Sequence, residues 1–166
     1  MRRDQESDYR EYVVARYDTL RCAAYLLCRD WHLADDLVSV TLANLYRHWD
    51  RVRSARSPDA YINGMLTHAW LDELRRPWRR EHKARALPEP VATATPPDDP
   101  VADRAELKTL LGGLPPRQRA VVVLRYYCDL SVADTAEILG VTEGTVKAHA
   151  ARGLELLRGS DICREV

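Results

Sequence analysis

No stretch of the 166-residue chain stays apolar for 18 residues in succession. That excludes a transmembrane helix, and no membrane insertion is expected. The charged N-terminus, MRRDQESDYRE, lacks the apolar centre of a signal peptide, so a cytoplasmic protein is expected. Glycine is scarce, at seven residues, and no segment alternates apolar with polar residues. Both features speak against strands and for an all-α fold. Of the four cysteines (Cys22, Cys28, Cys128 and Cys163), no two have Cys-x-x-Cys spacing. Neither a metal site nor a structural disulfide is expected. A phosphate loop, a Gly-x-Ser-x-Gly elbow and a His-Glu-x-x-His motif are all missing. Asp35 and Asp36 are adjacent, so on a helix they point about 100° apart and do not converge on one site. No catalytic residue, cofactor or enzymatic activity is expected.

Net charge is also lacking, with 25 basic residues against 25 acidic. The distribution is more telling than the sum. Residues 75–85, RRPWRREHKAR, hold six Arg or Lys against one Glu. Residues 86–103, ALPEPVATATPPDDPVAD, hold four carboxylates, no Arg or Lys, and five of the nine prolines. Proline blocks helix and removes amide donors, so this stretch reads as a flexible linker. The expected organisation is two small helical domains, residues 1–85 and 104–166, joined by it.

What is present in the second half is a helix-turn-helix, LSVADTAEILGVTEGTVKAHAARGLELLR, residues 130–158. Ser131 and Asp134 fit a capping box. Gly140 stops the first helix in a left-handed conformation, Val141 plugs the turn, and Thr142 caps the second helix. Val146, Ala150, Leu154 and Leu157 form its apolar face. Thr145, Ala148 and Arg152 face outward, flanked by Lys147 and His149. Such a pair fits a DNA major groove, although a plain helical hairpin in a core has the same pattern. Upstream, Leu107, Leu110 and Leu111 belong to a helix ended by Gly112-Gly113. Pro115-Pro116 starts another, with Ala120, Val123, Leu124 and Tyr127 inward.

The first half reads as three or four helices. Val13, Tyr17, Leu20, Ala24 and Leu27 form one stripe, and Val38, Leu42, Leu45 and Trp49 another. Ser57-Pro58 starts a helix running to about Arg76, with Tyr61 and Trp70 read as core. An arginine-rich loop, residues 50–56, precedes it.

The residues carry a resemblance. GLPPRQRAVVVLRYYCDLSVADTAEILGVTEGTVKAHAARGLELLR resembles region 4 of bacterial extracytoplasmic-function (ECF) sigma factors. AAYLLCRDWHLADDLVSVTLANLYRHWDRV resembles their regions 2.1 to 2.2, and YINGMLTHAWLDELRRPWRRE resembles region 2.4 of an actinobacterial, SigE-like subgroup. The resemblance implies a transcription initiation factor whose partners are core RNA polymerase and promoter DNA. Many relatives also bind an anti-sigma factor.

It further implies site residues. Asp35, Asp36, Leu37 and Val38 begin a helix that meets the polymerase clamp; stabilisation of a helix N-terminus by the carboxylates is the competing explanation. Arg51, Val52, Arg53 and Ser54 form a pocket for unstacked −10 bases. Arg75, Arg76, Arg79 and Arg80 hold phosphates, and Trp78 stacks on a base or covers the helix end. His68 stands where the family commonly has asparagine. Thr145, Lys147, Ala148, His149 and Arg152 meet the −35 element. Arg117 and Arg119 contact phosphates or cap their own domain. The acidic linker is expected either to mimic nucleic acid in the RNA exit channel or to act as a plain spacer.

Two other readings fit parts of the pattern. A LuxR-type regulator also carries Thr145-Val146-Lys147 followed by a histidine two residues on, but its upstream half is usually a βα or ligand-binding domain. An inactive sigma paralogue acting only as an interaction protein accommodates His68 and Ala148.

Overall fold

The computed structural model describes residues 2–76, 109 and 111–159. The chain divides into two compact units, residues 1–95 and 96–166. Among the described residues every regular element is helical, as the scarcity of glycine and of strand patterns predicts.

Four helices build the first unit: α1 Arg3–Cys28, α2 Trp31–Arg47, α3 Trp49–Arg53 and α4 Pro58–Arg75. The α1–α2 turn is set by Arg29 in the left-handed conformation (φ 61°) and by Asp30, whose carboxylate accepts from the amides of His32 and Leu33. Helix α2 therefore begins one turn before the expected start at Asp35. Helix α4 begins as expected, with the Ser57 hydroxyl accepting from the Ala60 amide at 3.2 Å and Pro58 in the first turn. Leu20, Ala24, Leu27, Val38, Leu45, Leu66 and Trp70 fill the core between α1, α2 and α4. Thr41 and Thr67 are buried there too. Each hydroxyl donates to the carbonyl four residues back, at 2.7 and 2.8 Å, so neither leaves an unmet donor.

Three expectations change. The arginine-rich loop is mostly helix α3, because Trp49 and Val52 are both buried and pull the chain into a turn. Tyr17 lies on the solvent side of α1, so the inward stripe starts properly at Leu20. Tyr61 is exposed on α4 and does not join Trp70 in the core.

The second unit contains α5 Pro116–Val122, a π-helical turn Val123–Tyr127, α6 Val132–Leu139 and α7 Glu143–Arg158. The expected continuous helix after Pro115-Pro116 changes pitch halfway. The Cys128 amide donates to the Val123 carbonyl at 2.9 Å, a five-residue span. Residues 120–124 are all buried, which a one-sided stripe does not achieve. Asp129 follows at φ 55°, and the Arg125 guanidinium donates to the Leu130 carbonyl. Leu107 and Leu110 lie outside the described residues.

Helices α5 and α7 pack together, and Gly153 sits at their contact. A Cβ there would lie 2.5 Å from Cγ2 of the buried Val122. Glycine to alanine inside a helix ordinarily gains about 1 kcal/mol. Here the clash wins, because Val122 is β-branched and enclosed. Gly153→Ala should lose about 1–3 kcal/mol by denaturant unfolding. In a Val122→Ala background the same change should be neutral or stabilising; an equal loss in both backgrounds would disprove the contact.

Candidate nucleic-acid and polymerase interfaces

The helix-turn-helix forms as its residues predict. The Ser131 hydroxyl accepts from the Asp134 amide at 3.0 Å. Gly140 is left-handed at φ 64°, where a side chain would be strained. The Thr142 hydroxyl accepts from the Thr145 amide at 3.1 Å. Val146 is fully buried and Ala150 nearly so, which anchors α7 on α5 and α6.

The outward face of α7 carries exposed Lys147, Ala148 and Arg152, with His149 half-buried on the flank. Gly144 and Ala151 are exposed on the same face, which the motif reading missed. Their spacing from Ala148, minus four and plus three, was the available signal. Small residues at three points let a helix backbone approach a groove closely. Thr145 is less free, since its hydroxyl lies 2.9 Å from that of Thr142.

Arg117 and Arg119 separate clearly. The Arg119 guanidinium donates to the carbonyls of Leu111 (2.8 Å), Leu114 (3.0 Å) and Gly112 (3.3 Å). It caps the preceding turn, one of its two expected roles. Arg117 is exposed and makes one long contact, 3.4 Å, to the Leu139 carbonyl.

In the first unit the structure sorts the expected residues by accessibility. Val52 is buried at 0%, so its place in a base pocket is withdrawn; it is core. Arg51, Arg53 and Ser54 are exposed beside it. The Ser54 hydroxyl donates to the Asp50 carbonyl at 2.7 Å, and Arg53 lies 3.6 Å from the Asp8 carboxylate. Along α4, Tyr61, His68, Asp72 and Arg75 are exposed at intervals of seven, four and three, one continuous stripe. Arg76 follows, 3.4 Å from Glu73. Trp78, Arg79 and Arg80 lie outside the described residues.

On α2, Leu37 and Val38 are buried in the core and not exposed for docking. Asp35 is held by Arg21 through two hydrogen bonds, at 2.6 and 3.2 Å. That guanidinium also lies over the Trp31 ring, 4.7 Å from its centroid, and the hydrogen bonds to Asp35 are the leading cause of its raised pKa. Asp36 is exposed with no ion pair among the described residues. Both carboxylates lie beyond the first turn of α2, where the pull of the helix dipole has largely faded. The N-terminus is already satisfied by Asp30.

Comparison with known proteins places this arrangement. Residues 13–80 match sigma-70 region 2, and residues 104–157 match sigma-70 region 4. The chain is 35% identical over 162 residues to the RNA polymerase sigma-E factor of Streptomyces coelicolor, covering 96% of this chain and 89% of that one. The chain belongs to the sigma-70 family. It is an ECF sigma factor of the SigE-like actinobacterial kind, a transcription initiation factor that directs RNA polymerase to promoters. The ECF RNA polymerase sigma factor SigE of Mycolicibacterium smegmatis is 31% identical over 156 residues, 89% of this sigma factor and 59% of the relative. The fold is shared with the sigma factor RpoE of Bartonella quintana, solved in complex with the anti-sigma factor NepR. The TM-score is 0.77 at 24% identity, covering 92% of this chain and 95% of that one. Matches in both halves, in this order, replace the LuxR-type reading.

Arg119→Ala should destabilise the chain by about 1–3 kcal/mol, because it leaves carbonyls uncapped. Arg117→Ala should stay within about 0.5 kcal/mol. Chemical denaturation followed by circular dichroism separates them, and equal effects would mean that the cap does not hold the turn.

Proposed function

We propose that residues 1–85 act as region 2, residues 86–103 as a linker and residues 104–166 as region 4. In this reading region 2 binds core RNA polymerase and opens the −10 element, while region 4 reads the −35 element. The observation that carries it is the exposed face of α7. It is a helix capped at its start and buried along its back, presenting Lys147, Ala148, Ala151 and Arg152 to solvent. Arg152 is exposed, has no ion pair among the described residues and has the reach for a guanine edge. Lys147 suits a phosphate, which positions without specifying. Ala148 cannot donate a hydrogen bond and suits a thymine methyl. Arg117 adds a phosphate contact.

For the −10 element the supporting features are Arg51, Arg53 and Ser54 at the end of α3, and the α4 stripe of Tyr61, His68 and Arg75 with Arg76 beyond it. Trp78, Arg79 and Arg80 extend that basic segment in the sequence. For the polymerase, Asp36 is the contact of choice and Asp35 a secondary one, since Arg21 already engages it. The protein works by binding rather than by catalysis, in the cytoplasm with the polymerase. An anti-sigma factor is a further partner, by analogy with the Bartonella complex.

Two experiments test this reading. Arg152→Ala should relax sequence preference at one −35 position, with a cost of about 1–3 kcal/mol on the preferred base. Lys147→Ala should weaken all sequences alike and lower the salt dependence. Indistinguishable effects across a promoter panel would remove α7 as the reading helix. Separately, Asp36→Lys should abolish co-purification with core polymerase while leaving the circular dichroism spectrum unchanged. Normal assembly by that variant would exclude α2 as the docking edge.

A further inference from the structure

The N-terminal half of α1 contributes little to the apolar core, yet one of its faces makes contacts along its length. Residues 5, 8, 9, 12 and 16 share that face by helical spacing. All of them meet the segment from Trp49 to Asp59. The Gln5 side-chain amide donates to Asp50 Oδ1 at 2.8 Å. The Asp8 carboxylate lies 3.6 Å from Arg53 Nη1. The rings of Tyr9 and Tyr12 lie 5.6 and 5.3 Å from the Trp49 ring, centroid to centroid. The Tyr12 hydroxyl donates to Asp59 Oδ1 at 2.8 Å, and Arg16 holds both oxygens of the same carboxylate at 2.8 and 3.1 Å.

We propose that this face of α1 is a positioning element for promoter opening. It fixes the segment from Trp49 to Asp59 at both ends and thereby sets where Arg51, Arg53 and Ser54 are presented. The proposal rests on the assignment of those three residues to −10 bases and phosphates.

The kinds of contact point to orientation more than stability. Burial of Trp49 and Val52 already anchors α3. The added polar contacts lie at the rim: both partners of the Arg16–Asp59 pair are 47% exposed, and Gln5–Asp50 is exposed. Such contacts contribute little to folding. They do restrict direction, because a two-pronged guanidinium–carboxylate pair fixes both distance and plane. Asp8 likewise holds Arg53 without burying it. A pocket that selects a base needs its donors held by a supporting layer, and α1 supplies that layer. Burial, followed by the Asp59 hydrogen bond, pushes the Tyr12 hydroxyl well above the usual tyrosine range, so it stays a donor at any working pH.

The test uses the full chain assembled with actinobacterial core RNA polymerase. The probe is a promoter fragment taken from a start site that the wild-type holoenzyme uses in genomic DNA, with single-base changes across its −10 element. Permanganate reactivity of unpaired thymines reads opening. Tyr12→Phe keeps the ring against Trp49 and removes the hydrogen bond, and Arg16→Gln removes the two-pronged pair. The double variant should keep its thermal midpoint and its assembly with polymerase. Its preference for the native −10 base should fall about tenfold, the order of one good base contact. Arg16→Lys in place of Arg16→Gln should recover part of that preference. Unchanged base preference would overturn the proposal. So would a loss equal at every base that follows a lowered thermal midpoint. Arg51→Ala serves as the reference. If it impairs opening while the α1 variants do not, the positioning role alone fails. If it has no effect either, the −10 assignment fails, and the proposal with it.

Discussion

Burial of Trp49 and Val52 is the constraint on which the first unit's exposed cationic edge depends. A five-residue helix does not persist in water, because nucleation consumes most of what its few hydrogen bonds return. Helix α3 exists because its two apolar residues are enclosed while Arg51 and Arg53, alternating with them, are left outside. Anchor and cation thus lie within a single turn of chain. The buried Trp49 indole Nε1 has no hydrogen-bond partner among the described residues. Tyr9, Tyr12 and Tyr46 complete an aromatic cluster around it. A buried aromatic anchor beneath an exposed cationic edge is a stiff support, and it does not need a loop.

The second unit solves the same problem differently. Helix α7 is fixed at its start by Thr142, along its back by Val146 and Ala150, and at its middle by Gly153 against Val122. Its outward face is then free of structural duty, and small residues alternate with Lys147 and Arg152 there. Arg119 takes no part in that face. It spends its donors on three carbonyls of the preceding turn. Neighbouring arginines with opposite fates, Arg117 outward and Arg119 inward, show why residue type alone does not assign a nucleic-acid contact.

Local signals were legible in the sequence wherever the physics is local. The caps Ser57, Ser131 and Thr142, the left-handed Gly140 and the apolar back of α7 follow from short-range hydrogen bonding and periodicity. Less was legible where packing between elements decides. Val52 read as part of an exposed pocket because its neighbours are charged, and only the packing of α3 on α2 and α4 reveals it as core. Tyr61 and Tyr17 are amphipathic rings whose side is set by neighbours rather than by spacing. The π-helical turn at Val123–Tyr127 leaves no periodic trace, since the apolar run Ala120–Leu124 that leads into it fits either pitch. Asp35 and Asp36 look equivalent in sequence, yet one is engaged by Arg21 and the other is not. The stripe of residues 5, 8, 9, 12 and 16 mixes amide, acid, phenol and guanidinium, so no hydrophobic pattern marks it.

Both units serve one act, the placing of polymerase on a promoter. Reconstitution tests that directly: the chain is mixed with actinobacterial core RNA polymerase and fragmented genomic DNA of its source, and RNA 5′ ends are mapped. The account predicts a stable complex and a small set of new start sites, absent with core alone, preceded at fixed spacing by two shared sequence elements. A complex that starts no transcripts anywhere would contradict it and indicate a chain that only occupies the polymerase. Absence of a complex, with dimers on palindromic DNA instead, would contradict it more deeply.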